Sequence, residues 1–100
     1  GRAIAFTGDF NGSSGNVARL ARGVDVLVAH NAVPGDAGPV ARDLHATPSR
    51  IGAAAAAAGA GRLVLSHRMH RTLGGEAETL AAIGRHYDGP VSFADDLDCY

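Results

Sequence analysis

The sequence predicts an α/β fold in which short apolar strands alternate with helices around a mixed sheet. Three observations lead there. Hydrophobic residues make up 46% of the 100 but aromatic ones only 5%, so the apolar material is alanine, valine, leucine and isoleucine. The runs Ala3–Phe6, Val24–Ala29, Leu63–Leu65 and Val91–Phe93 are short and apolar, as buried strands are. Between them, apolar residues recur at helical spacing beside glycines that can stop a helix.

Taken in order, Ala3-Ile4-Ala5-Phe6 reads as a buried strand closed by Thr7-Gly8-Asp9. Asp9 to Gly15 is a polar, glycine-rich loop. Asn16 to Arg22 carries Val17, Leu20 and Ala21 at helical spacing, with Ser13 or Ser14 to cap its start and Gly23 to end it. Val24 to Ala29 is a second strand, interrupted only by Asp25. Asn31 to His45 holds Pro34, Gly35, Gly38 and Pro39, a long connection with a short helix from Pro39 to Leu44. Connections of that length usually carry function.

Thr47-Pro48 starts the next helix, Thr47 as N-cap and Pro48 at the first position, where a missing N–H costs nothing. It runs to Ala58, Gly59 and Gly61 end it, and its alanines permit close approach to a sheet. Leu63-Val64-Leu65 is the third strand, ending at Ser66-His67. The basic loop Arg68 to Gly75 leads to a helix from Glu76 to His86, with Leu80 and Ile83 as its buried stripe. Glu76 and Glu78 in its first turn and Arg85 and His86 in its last match the helix dipole. Val91-Ser92-Phe93 is a fourth strand, and Leu97 to Tyr100 begins a fifth.

Length limits the chain to one domain with one modest core. Nine basic against ten acidic residues leave a net charge of −1, which argues against bulk binding to nucleic acid through a basic face. Cys99 is the single cysteine, so no internal disulfide forms, and the compartment stays open between cytoplasm and periplasm. No run approaches the ~20 apolar residues of a membrane span, and no targeting signal is visible. All the basic residues are arginine, which together with the alanine richness hints at a GC-rich bacterial genome. The chain enters a strand almost at once and stops in a strand-like segment, so the expectation is a piece of a longer protein.

Polar residues gather where strands end: Asp9 after the first, His30-Asn31 after the second, His67 after the third. Sites in open α/β sheets lie beyond the carboxyl ends of strands. An aspartate and a histidine held there are sound ligands for zinc or another divalent metal, although a complete site needs about four to six donors. Each residue also has a plainer reading. Asp9 after Thr7-Gly8 can be a turn former, His67 a hydrogen-bonded strand-end histidine, and His45 simply the residue before a helix. His70 and His86 read as solvated, as do Asp95, Asp96 and Asp98. The Arg68/Arg71 loop either recognises an anionic substrate or lies in water.

Four segments follow each other in a telling order: Phe6-Thr7-Gly8-Asp9, Gly23-Val24-Asp25-Val26-Leu27-Val28, His45-Ala46-Thr47-Pro48 and Leu63-Val64-Leu65-Ser66-His67. Together they resemble the C-terminal half of a metallo-β-lactamase-fold hydrolase, an αββα sandwich, and within it the ribonuclease Z and arylsulfatase-like branch. The resemblance runs through Gly89-Pro90-Val91 and Asp95-Asp96-Leu97 and so covers nearly the whole chain. It implies that residues 1–100 are that half-domain. Asp9 would match the aspartate bridging two metal ions, expected to be zinc, and His67 the late histidine binding the second. His45 would match the histidine of an H-[SA]-T segment facing the reacting group. His30 has no such counterpart and is read from its own place at a strand end as a substrate contact. The implied reaction is hydrolysis of a phosphate, sulfate or related ester by a metal-bound hydroxide.

Two departures accompany the resemblance. The family's H-x-H-x-D-H signature and mid-chain histidine belong to the N-terminal half and are not among these residues. Ribonuclease Z carries His-Glu-Ala-Thr after its second strand here, whereas this chain has Ala29-His30-Asn31-Ala32. That favours a phosphodiesterase or arylsulfatase-like esterase over tRNA processing. The expected partners are the ester substrate, the missing N-terminal half-domain, which would cover an apolar sheet face, and a second copy of the chain. A rival reading is a non-catalytic Rossmann-like module binding a nucleotide or partner through Gly12–Gly15. That loop follows a strand and opens a helix, but it fits neither G-x-G-x-x-G nor G-x-x-x-x-G-K-[ST].

Overall fold

Every pair of successive strands in this chain is joined through helix, and that alone decides the sheet. A computed structural model describes residues Gly1–Tyr100. Its order is β1 (Ile4–Phe6), α1 (Asn16–Leu20), β2 (Val26–His30), α2 (Pro39–Leu44), α3 (Pro48–Ala58), β3 (Arg62–Ser66), α4 (Glu76–Gly84) and β4 (Val91–Phe93). A 3₁₀ turn, His70–Thr72, lies between β3 and α4. A strand reached through a crossover runs in the direction of the one before it. The sheet is accordingly parallel throughout, in the order β1-β2-β3-β4, and not mixed as the sequence suggested.

That order never reverses, so right-handed crossovers bring the helices to one face. The core gathers there: Leu27 and Ala29 of β2 and Leu63 and Leu65 of β3 meet Ile51, Ala55 and Ala58 of α3, Ile83 of α4, and Ala21 and Tyr87 beyond the helix ends. Residues of the other parity point away. On that opposite row the register aligns Ile4 with Val26, and Phe6 with Val28 and Val64. Ile4 is 58% exposed and Phe6 75%, so the β1 end of this apolar row stands open to solvent, while Val64 at its other end is buried. No helix is long and apolar enough to cross a membrane.

The helix α3 forms where the sequence marks it. The Thr47 hydroxyl accepts from the Arg50 N–H (3.4 Å), Pro48 takes the first position, and Gly59 ends the helix in the left-handed region (φ +64°). Its buried residues Pro48, Ile51, Gly52, Ala55 and Ala58 follow a three-to-four spacing, the stripe that meets the sheet. Gly52 admits α4: a Cβ there would stand 2.8 Å from the Ile83 carbonyl oxygen and 2.9 Å from its Cα.

Other expectations change in detail. The helix α1 stops at Leu20, and Gly15 takes its N-cap position with no side-chain cap; the Ser13 N–H and hydroxyl both donate to the Asn11 side chain instead. In α4 the buried pair is Thr79 and Ile83, four residues apart; Leu80, one step round the helix, is exposed. That helix ends at Gly84, and His86 beyond it binds the Ser49 hydroxyl at 2.8 Å. No fifth strand forms at Leu97–Tyr100. The Tyr100 hydroxyl instead folds back, donating to the Phe93 carbonyl (2.9 Å) and accepting from the Asp95 N–H.

The helix contact sets a paired test. Gly52→Ala forces backbone apart and is expected to cost about 1–3 kcal/mol. Gly84→Ala, with nothing within 4 Å of the new Cβ, is expected to be neutral or slightly stabilising. Thermal unfolding of the two variants checks this, with a drop of at least ~4 °C expected for the first alone.

Candidate metal centre

Four side chains converge at the carboxyl ends of β1, β2 and β3. Pairing of β1 with β2 continues one residue past the strand, where the Thr7 N–H donates to the Val28 carbonyl (2.9 Å). Gly8 then turns the chain at φ +58° and delivers Asp9. His30 is the last residue of β2 and pairs in register with Ser66, so His67 follows immediately beside it. His45 arrives from a distant segment, tied in by two bonds: the Ala46 N–H donates to the Phe10 carbonyl (2.6 Å), and the Asn11 amide to the Asp43 carbonyl (2.9 Å).

The resulting geometry is tight. His30 Nδ1–H donates to Asp9 Oδ1 at 2.7 Å, and His45 Nδ1 stands 3.7 Å from the same oxygen. The His67 ring lies 4.6 Å from that of His30 and 6.3 Å from that of His45, centroid to centroid. Ligand atoms of Asp9, His30 and His67 all fall within 4.8 Å of one another. The His30 hydrogen bond, and after it the charges of His45, His30 and His67, hold the Asp9 carboxyl below the usual aspartate range. It remains an anion with three imidazoles around it.

One carboxylate with imidazoles at this separation is a donor set suited to a borderline divalent metal such as zinc. His45 Nδ1, buried and without a hydrogen-bond partner, lies outside the three side chains whose ligand atoms cluster. Two candidate ligands from the sequence, Asp9 and His67, thus stand together. His30, read there as a substrate contact, is bonded to Asp9 inside the cluster. The structure brings His45 to the cluster's edge. A cleft of ≈ 550 Å³ between the loop after β2 and the start of α4, lined by Pro34, Asp36, Arg71, Thr79 and Arg85 among others, contains none of the four. The cluster itself lies open, with the Asp9 side chain 62% exposed.

His67 sits in the left-handed region at φ +50°, unusual for a residue with a side chain and costing about 1–2 kcal/mol. Such a conformation persists only where the surroundings impose it. The arginines after it, read from sequence as substrate-binding or solvated, are engaged by the protein. Arg68 pairs with Glu76 and covers the Phe93 ring at 4.5 Å, and Arg71 Nε donates to the Ala32 carbonyl at 2.7 Å. The Gly12–Gly15 loop is also bonded internally through Asn11, whose carbonyl accepts from Arg50 (2.9 Å).

Two outcomes follow from this geometry. Removing the imidazole in His30→Ala is expected to raise the Asp9 pKa toward its ordinary value, so the carboxylate protonates at higher pH; carboxyl ¹³C titration reads the shift. Among His67 variants, His67→Gly is expected to be more stable than His67→Ala by about 1 kcal/mol, because only glycine adopts φ +50° freely. Denaturant unfolding checks the order, and an alanine variant at least as stable would contradict the strain.

No family model and no curated protein matches the chain. Among solved structures, it is similar to the metallo-β-lactamase fold protein YhfI from Bacillus subtilis, with a TM-score of 0.79 at 21% identity. The similarity covers 94% of this chain and 37% of that one. The chain therefore has the fold of one part of a metallo-β-lactamase-fold protein.

Proposed function

We propose that this chain is the C-terminal half-domain of a metal-dependent hydrolase acting on a phosphate, sulfate or related ester. The observation that carries the reading is the Asp9–His30–His67 cluster, with ligand atoms within 4.8 Å of one another at the carboxyl edge of a parallel sheet. The likeness of the fold to a metallo-β-lactamase-fold protein supports it. Asp9 and His67 are the proposed ligands of a divalent centre, zinc in two copies. Further donors come from an N-terminal half whose sheet covers the open row of Ile4 and Phe6. The same missing wall accounts for a cluster that lies open instead of in a cleft.

The chemistry such ions supply when bound is activation of water at neutral pH and polarisation of the ester. The residues of this chain do the rest. Asp9 supplies a carboxylate kept ionised by the His30 Nδ1–H bond. His30 thereby orients the ligand it touches, as outer-shell partners do in metal sites. His45, ahead of the N-terminus of α3, donates a hydrogen bond or proton to charge developing on the leaving oxygen. The departure from ribonuclease Z at Ala29-His30-Asn31-Ala32 favours a phosphodiesterase or arylsulfatase-like substrate.

Hydrolysis of an activated phosphodiester and an activated sulfate ester by the whole protein, with metal content measured in parallel, tests this. Asp9→Ala is expected to lose both metal and turnover; unchanged turnover would remove Asp9 from the centre. His45→Ala is expected to keep its metal while kcat falls about 10²–10⁴-fold. Loss of metal in that variant would make His45 a ligand instead, and full activity would leave it a structural residue.

A further inference from the structure

We propose that Arg68 is the positioning residue that holds His67 in its site orientation. The inference rests on the reading of His67 as a metal ligand but concerns a residue outside the cluster. His67 is held at φ +50°, and its own ring contacts are with His30 and His45. The constraint on its backbone comes from the next residue. The Arg68 side chain is only 12% exposed. Its Nη2 pairs with Glu76, the first residue of α4, and its guanidinium lies over the Phe93 ring, 4.5 Å from the centroid, at the end of β4. Arg68 Nε is buried without a partner, so the polar anchoring of the side chain runs through Nη2.

The planar guanidinium does two things at once. It stacks on an aromatic face, and it pairs with a carboxylate in the plane of its N–H groups. Glu76 is itself fixed: its carboxylate accepts from its own N–H and from Gly74, which with Arg68 keep its pKa below the ordinary glutamate range. The peptide between His67 and Arg68 is therefore anchored to two rigid elements, α4 and β4. Freed from that anchor, His67 would relax from the left-handed region, and its ring would leave its place 4.6 Å from His30.

Histidine-ring NMR of the whole protein, without metal and then titrated with Zn²⁺, tests the proposal. Arg68→Met keeps the stem over Phe93 and removes the ion pair. In the metal-free state it is expected to shift the His67 and His30 ring protons, while those of His86 stay put. Its Zn²⁺ affinity read at His67 is expected to fall about 10–100-fold, the usual effect of outer-shell partners. Arg68→Lys, which keeps charge without the planar stack, is expected to fall between. Glu76→Gln, which leaves the arginine in place, covers the case in which Arg68→Met fails to fold and is expected to move the same two rings. Ring shifts and affinity identical to the parent protein in the folded variants would overturn the proposal. Ring shifts that change while Zn²⁺ moves no histidine, even in the parent protein, would support the positioning role and count against the metal reading alone.

Discussion

The register that sets His30 opposite Ser66 carries the rest of the site with it. Because β2 and β3 run in the same direction, their carboxyl ends lie side by side and His67 emerges next to His30. Parallel pairing of β1 then brings Asp9 to the same edge, within a hydrogen bond of His30. A slip of one residue between β2 and β3 would turn Leu27 and Ala29 out of the core and break the cluster at once. Fold stability and site geometry therefore hang on one alignment, enforced by burial of Leu27, Leu63 and Leu65 against α3 and α4.

The helices do for His45 what the sheet does for the other three. His45 closes α2 and stands just ahead of the Thr47 cap of α3, so its position follows from where α3 packs. That helix in turn lies close to α4 because Gly52 carries no side chain where Ile83 passes. Strain collects at the edge of this frame: His67 is the residue with a side chain held at positive φ inside the cluster. Energy spent on backbone strain at one position is tolerable when packing elsewhere over-determines the conformation, and such positions concentrate at functional sites.

Much of this was legible in the sequence because it is local. Thr47-Pro48 and Gly59 mark α3 by capping chemistry that needs no tertiary partner, and Asp9 and His67 are recognisable as polar residues at the ends of apolar runs. Strand direction was legible only in part: the helices between strands imply parallel pairs, and it was the further strand expected directly after β4, which does not form, that made the sheet look mixed. The bond from His30 to Asp9 joins residues 21 apart and exists only in the parallel register. The strand expected at Leu97–Tyr100 lost to contacts made by the Tyr100 hydroxyl. The role of Arg68 was hidden for the same reason, since Phe93 reaches it only once β4 has joined β3.

The central claim is that Asp9 and His67 bind one metal centre. Anomalous diffraction at the zinc edge, from crystals of the protein grown with zinc, tests it most directly. The account predicts a peak within about 2.0–2.2 Å of an Asp9 carboxylate oxygen and of a His67 ring nitrogen. A zinc peak bound elsewhere, with Asp9 and His67 both outside bonding distance, would contradict it.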